Sequence, residues 1–309
     1  MKYSGGAPIR TVIIPFVIFT AIWGSTWIVI RDQLADAPPQ WSVAYRFAIA
    51  AMAMAAVSRL QRRSLRLDRD GMVAALIIGI TQFCINFNSV YLAERHLTSG
   101  VVATIFALLI IPNTLLGWAV LGQRPGRQFA IGSAVAIAGI ALLCINELRQ
   151  SGARRPDILV GFGFTALGLA AASWANVFQA LERVRRHHLK PLLAWAMAIG
   201  AVIDAALAWL VSGPPVFSPR PGYWFGVAYL AIVASALAFT LYFPVVRKIG
   251  PGKAAYSSVL VPIIAMGFST WLEGYRWIAL TVAGALLTLA GMLIALRRAR
   301  TPIPSPDAA

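Results

Sequence analysis

The chain has 309 residues, of which 59% are hydrophobic and only 12% charged, with a mean hydropathy of +0.73. A soluble chain carries about 25% charged residues; here the charges lie between apolar runs of roughly 20 residues, the length that crosses a bilayer core, and the runs are continuous where a transmembrane barrel would alternate. Composition therefore excludes a soluble globular protein and an outer-membrane barrel, and the net charge of +16 is read as basic loops of a membrane protein, not as a nucleic-acid surface.

In chain order, residues 1–10 form a short basic N-terminal segment. The first apolar run, 11–30, is followed by Ala35-Asp36-Ala37, which imitates a signal-peptidase site. The run is nevertheless long enough to span, and it carries a Trp23-Gly24-Ser25 motif that the second half echoes, so it is read as a membrane helix. Nine further spans are predicted at 39–57, 71–91, 98–121, 127–145, 158–181, 191–211, 222–244, 252–272 and 275–296. Residues 297–309, with Pro302, Pro304 and Pro306, read as a disordered tail. With both termini in the cytoplasm, 19 of the 27 Lys and Arg residues fall on the cytoplasmic side, as the positive-inside rule requires. Cys84 and Cys144 lie within apolar runs and supply neither a disulfide framework nor a metal-ligand spacing.

The chain is written twice. Leu109-Ile110-Ile111-Pro112, Leu121-Gly122-Gln123, Gly132 and Gly139 recur about 150 residues later as Val259-Leu260-Val261-Pro262, Leu272-Glu273-Gly274, Gly284 and Gly291. Trp23-Gly24-Ser25-Thr26 falls opposite Trp174-Ala175-Asn176-Val177, and Tyr91 opposite Tyr242. So long a period marks a duplicated half-protein, not a short solenoid unit. Two five-helix repeats are expected, 11–148 and 157–296. Five is odd, so the second repeat enters the membrane from the opposite side. The predicted fold is an all-α integral membrane protein of ten transmembrane helices in two inverted five-helix repeats, an arrangement suited to alternating access around a midplane site.

These motifs resemble the drug/metabolite transporter superfamily in its EamA-type branch. The resemblance rests on Trp23-Gly24-Ser25, Arg46-Phe47, Pro112 through Leu121-Gly122-Gln123, and Gly132…Gly139, and extends over residues 11–296. Gln123 stands where that family usually has Glu, and Leu272-Glu273-Gly274 inverts the order of the glycine and the acid. The resemblance implies a ten-helix exporter of small metabolites, similar to exporters of aromatic and other neutral amino acids.

No P-loop, zinc-protease or nucleophile-elbow pattern is present, so neither an enzyme nor a cofactor is expected. The expected partners are a small-molecule substrate, an amino acid or related metabolite, and the lipid bilayer. Gly79, Gln82, Asn86 and Ser89 share a helix face, which predicts that Gln82 and Asn86 line a cavity; Asn88 falls on the opposite face and is assigned to helix packing. Trp23 and Trp174 are expected as apolar walls with their indole N–H groups free for a substrate. Ser173, Asn176 and Tyr256 are expected to add polar contacts. Charges are expensive inside spans; Arg46 is a candidate for the substrate carboxylate, Asp204 for proton coupling, and the two for an ion pair with each other. Pro112 and Pro262 are candidate hinges. The four paired glycines mark either an interface between the halves or a dimer surface. Nucleotide sugars or drug-like amphiphiles are alternative substrates; a nucleotide sugar would call for several cavity-facing cations. An intramembrane lipid-modifying enzyme would need an acid/base or metal cluster that the sequence lacks.

Overall fold

In lipid, a spanning backbone must satisfy its own hydrogen bonds, and every regular element among the described residues is helical. The computed structural model describes residues 9–122, 124–150, 155–254, 257–272, 274 and 277–296. The long helices are α1 (Ile9–Gln33), α2 (Pro39–Leu60), α3 (Arg69–Ala93), α4 (Ser99–Leu121), α5 (Arg127–Gln150), α6 (Arg155–Ala180), α7 (Leu189–Ser212), α8 (Pro221–Ile249), α9 (Ser257–Leu272) and α10 (Ala279–Leu296). Seven of these (α1 to α4 and α6 to α8) are long and apolar enough to cross a membrane, while α5 and α10 carry shorter apolar stretches. Local chemistry sets the ends. Pro39 opens α2, where its missing N–H costs nothing. Asp68 caps α3 by accepting the Gly71 N–H at 2.7 Å, and Gly122, at φ +70°, closes α4 in the left-handed conformation.

Two helices change winding midway. Residues Gly79–Asn86 of α3 and Tyr229–Leu237 of α8 are π-helical, and they lie at the same sequence offset that separates Pro112 from Pro262. In α4 a 3₁₀ turn at Ala107–Leu109 precedes Pro112, as expected where a proline withholds its donor. Pro262 lies inside α9.

Small residues set the closest helix contacts. A Cβ on Gly132 would lie 2.1 Å from the Ala295 backbone nitrogen, and one on Gly291 would lie 2.3 Å from that of Ala136. One on Gly139 would meet Thr288 at 2.4 Å, and one on Gly284 the Gly139 carbonyl at 2.9 Å. The four predicted glycines thus face one another across a single α5–α10 seam, the first of each pair opposite the second of the other; they are not a dimer surface. Gly79 lies against the Ala196 carbonyl of α7, and Gly24 of the Trp-Gly-Ser motif lies under Ile264 of α9.

Large apolar side chains cover the outside, among them Val202, Leu210, Phe225 and Trp271, each at least 70% exposed. Such a surface suits hydrocarbon and not water. Ion pairs tie the connections. Arg220, before α8, binds Asp32 at 2.7 Å and also Asp36, beyond the end of α1. These two carboxylates, Asp32 first, hold the exposed Arg220 guanidinium above its ordinary pKa. At the other end Arg186 pairs with Asp70 and, at 3.6 Å, with Asp68.

Candidate functional site

A cavity of about 120 Å³ opens among α1, α2, α3, α4, α6, α8 and α9, several times the space one water needs. Helical spacing explains its walls. Trp23, Thr26, Trp27 and Ile30 of α1 line it, and spacings of three, four and seven keep them on one face. From α6 come Ala172 and Asn176, four residues apart; from α3, Gln82 and Asn86.

The polar groups on these walls are buried and incompletely paired. Arg46 is 1% exposed. Its Nε donates to Ser235 Oγ at 2.9 Å, its Cζ stands 4.3 Å from the Phe87 ring centroid, and its Nη1 has no protein partner. The Trp27 indole nitrogen, Gln82 Oε1, Asn86 Oδ1 and Asn176 Oδ1 are likewise without one. Burying polar groups unpaired costs free energy, and all five of these atoms belong to residues that line the cavity. Two of the set donate, one of them cationic, and three accept. Among the described lining residues, Arg46 is the single charged side chain.

Aromatic rings close one flank of the cavity. Trp23 packs on Tyr242 and Phe239 at centroid distances of 4.9 and 5.3 Å, and Trp27 stands 5.4 Å from Phe106.

Of the sequence-predicted site residues, Trp23, Arg46, Gln82, Asn86 and Asn176 come together here. Several expectations are corrected. Trp174 is 43% exposed and absent from the cavity wall: Ala172 and Asn176 define the inner face of α6, and a residue two positions from each points the opposite way. Ser173 is fully buried but also off the wall. The Trp23 indole is not free, because it donates to the Ala234 carbonyl at 3.1 Å; the indole without a partner is that of Trp27, one helical turn on. Arg46 and Asp204 do not pair. Asp204 is fully buried off the cavity, and its Oδ1 accepts from Asn88 Nδ2 at 2.7 Å. This is the role that Asn88 plays on its own face of α3. The predicted four-residue stripe on α3 is divided: Gly79 packs on α7, and Ser89 lies under Gly168 of α6. The π-helical winding of Gly79–Asn86 breaks the 3.6-residue register on which that stripe relied. Tyr256, Gln123 and Glu273 lie outside the described residues.

Sequence reasoning also missed Glu94. It is fully buried at the end of α3, within electrostatic range of Arg46, and it was passed over because it falls between runs. Trp27 could have been found from the four-residue spacing to Trp23.

Similarity to known proteins accords with this architecture. The transporter YedA of Escherichia coli (strain K12), an inner membrane protein by its description, is 27% identical over 91% of this chain and 92% of its own length. Protein PagO of Salmonella typhimurium is 23% identical over 84% of each chain. A protein of Escherichia coli (strain K12) described as a "probable amino-acid metabolite efflux pump" is 23% identical over 90% of this chain and 92% of its own. A crystal structure at 18% identity superposes with a TM-score of 0.67, covering 92% of this chain and 97% of the other, which shows a shared fold. Residues 10–145 and again 161–297 match one family description, and on that double match the chain belongs to the EamA-like transporter family.

Proposed function

We propose that the chain is a secondary transporter that exports small metabolites, amino acids foremost, across the cytoplasmic membrane by alternating access. In this reading α5, α9 and α10 cross the bilayer with the seven longer spans, giving ten. The two halves are inverted repeats, with both termini in the cytoplasm. Four features support the inversion: the family match occurs twice, the π-helical segments and the prolines recur at one offset, the glycines of α5 and α10 meet in reciprocal pairs, and the Lys and Arg are unevenly distributed.

The observation that carries the substrate reading is the set of unpaired polar atoms on the residues around the cavity. A zwitterion presents a carboxylate to Arg46 Nη1 and the Trp27 indole N–H, and an ammonium group to the amide oxygens of Gln82, Asn86 and Asn176. Apolar walls at Ile30, Val90 and Phe106 receive its side chain. A single guanidinium is too few for a nucleotide diphosphate, which is usually gripped by several cations. Pro112 and Pro262 serve as hinges. Asp204, facing Asn88 and Cys84, is the candidate proton site; Asp204→Asn then removes the pH dependence of transport.

Counterflow in proteoliposomes with a panel of amino acids, cationic amphiphiles and nucleotide sugars tests the substrate. Neutral amino acids exchange, while arginine, lysine and cationic amphiphiles do not. Exchange of amphiphilic cations without amino acids would reject the reading.

A further inference from the structure

A second concavity lies at the end of the molecule that carries the α2–α3 and α6–α7 connections. Its volume is about 680 Å³, and Arg59, Arg63, Arg66, Leu65, Met72 and Trp195 are among the residues around it. A tight backbone turn adjoins it. Arg62 has φ 53°, the single non-glycine residue at positive φ among those described, a conformation that side chains with a Cβ rarely adopt. The turn it makes, closed by Arg63 N–H donating to the Ser58 carbonyl at 2.9 Å, brings the following segment back over α7. There the Trp195 indole N–H donates to the Leu65 carbonyl at 2.8 Å.

Among the described residues, the arginines around this hollow have no carboxylate partner. Asp70 and Asp68 are engaged by Arg186 and His187, Lys190 is held by Gln61 Oε1 at 2.6 Å, and among the described residues no carboxylate pairs with Arg59, Arg63 or Arg66. From the hollow, an apolar path leads along both helices toward the middle of the membrane. Met52, 64% exposed, is two helical turns below Arg59 on α2, and Val202, 70% exposed, is two turns below Trp195 on α7. Tryptophan belongs at the headgroup level, guanidinium groups grip phosphate through paired N–H donors, and basic pockets between membrane helices take anionic headgroups.

We propose that this concavity is a binding site for an anionic phospholipid. Arg59, Arg63 and Arg66 hold its headgroup phosphate, the ring of Trp195 and the side chain of Met72 contact the glycerol region, and the acyl chains lie along the α2 and α7 path.

The test uses the full-length protein in phosphatidylcholine nanodiscs with graded phosphatidylglycerol. Lipid retained after mild detergent extraction is counted by native mass spectrometry, and melting temperature is followed in parallel. Wild type retains phosphatidylglycerol over phosphatidylcholine and melts higher as its fraction rises. Each arginine changed to Gln lowers phosphatidylglycerol affinity about fivefold, the equivalent of one basic residue at an anionic surface. Arg63→Gln/Arg66→Gln therefore loses most retention, whereas Arg183→Gln/Arg185→Gln, with the same loss of charge nearby, keeps it. Equal loss in both double variants would overturn the site in favour of general surface charge. Displacement of the lipid by millimolar inorganic phosphate would overturn it in favour of a soluble anion. Unchanged retention in Arg63→Gln/Arg66→Gln with an unchanged melting temperature would overturn it outright.

Discussion

Arg46 is where the proposed chemistry is most exposed to test, because a buried cation has few reasons to be in an apolar helix. Its Nε is committed to Ser235 and its Cζ lies over the Phe87 ring, while Nη1 has no protein partner. Arg46→Gln removes the charge. Arg46→Lys keeps it but loses the fork and the stacking, which an ammonium does not reproduce. A hydrogen bond to a charged group is worth about 1.5–3 kcal/mol, so Arg46→Gln should weaken binding of phenylalanine by roughly 10- to 150-fold. Arg46→Lys should fall between that variant and wild type. Phenethylamine, which has the same ring and ammonium but no carboxylate, should bind wild type only weakly and without exchange, and should bind the Gln variant at least as well, since a repelling cation has gone. Titration calorimetry on detergent-purified protein reads both ligands, and the melting temperature identifies variants that merely unfold. If amino acid and amine weaken together, Arg46 only shapes the cavity; if neither changes, the carboxylate binds elsewhere.

Four further outcomes are expected. Asn88→Ala leaves the Asp204 carboxylate without its 2.7 Å partner and should cost about 1.5–3 kcal/mol of stability, seen as a lowered melting temperature that Asp204→Asn does not share. Gly132→Val drives a side chain into the Ala295 backbone and should destabilise by at least the roughly 1–3 kcal/mol of an overpacked core, whereas the same change at Gly163, where a Cβ meets nothing within 4 Å, should be nearly silent. Pro262→Ala should slow counterflow while leaving affinity within about twofold, roughly 0.4 kcal/mol; an unchanged rate would make the proline a static bend. Cysteines at the exposed positions Ser64 and Arg185 should be labelled from the cytoplasm only, and those at Ala35 and Pro219 from outside only; any mixed pattern would dismantle the topology.

Helix positions were legible in the sequence because hydropathy acts over whole runs: a 20-residue apolar stretch has few ways to exist in lipid other than as a helix. The α5–α10 seam was legible in part, since glycines repeated seven residues apart signal close approach, though not against what. Facing direction was harder. Assigning both Trp174 and Asn176 to the cavity was inconsistent with helical geometry, and the structure keeps Asn176. Repeat equivalence suggested Trp174, but equivalent positions in an approximate repeat can rotate out of register. The pairing of Asn88 with Asp204 was invisible because it joins residues 116 apart in sequence. The split of the α3 stripe was invisible because nothing in Gly79–Asn86 announces a π-helix.

That winding bears on the history of the chain. A π-helical stretch takes more residues per turn, and in length it is what remains when an α-helix gains a residue without shifting its flanks. The chain has it twice, at Gly79–Asn86 and at Tyr229–Leu237, at one place in each of the two stretches that match the family. Under the repeat arrangement proposed above, a single insertion copied with the repeat accounts for both; two independent insertions at matching sites are the costlier history. On that proposal the π-helical winding is older than the joining of the two halves.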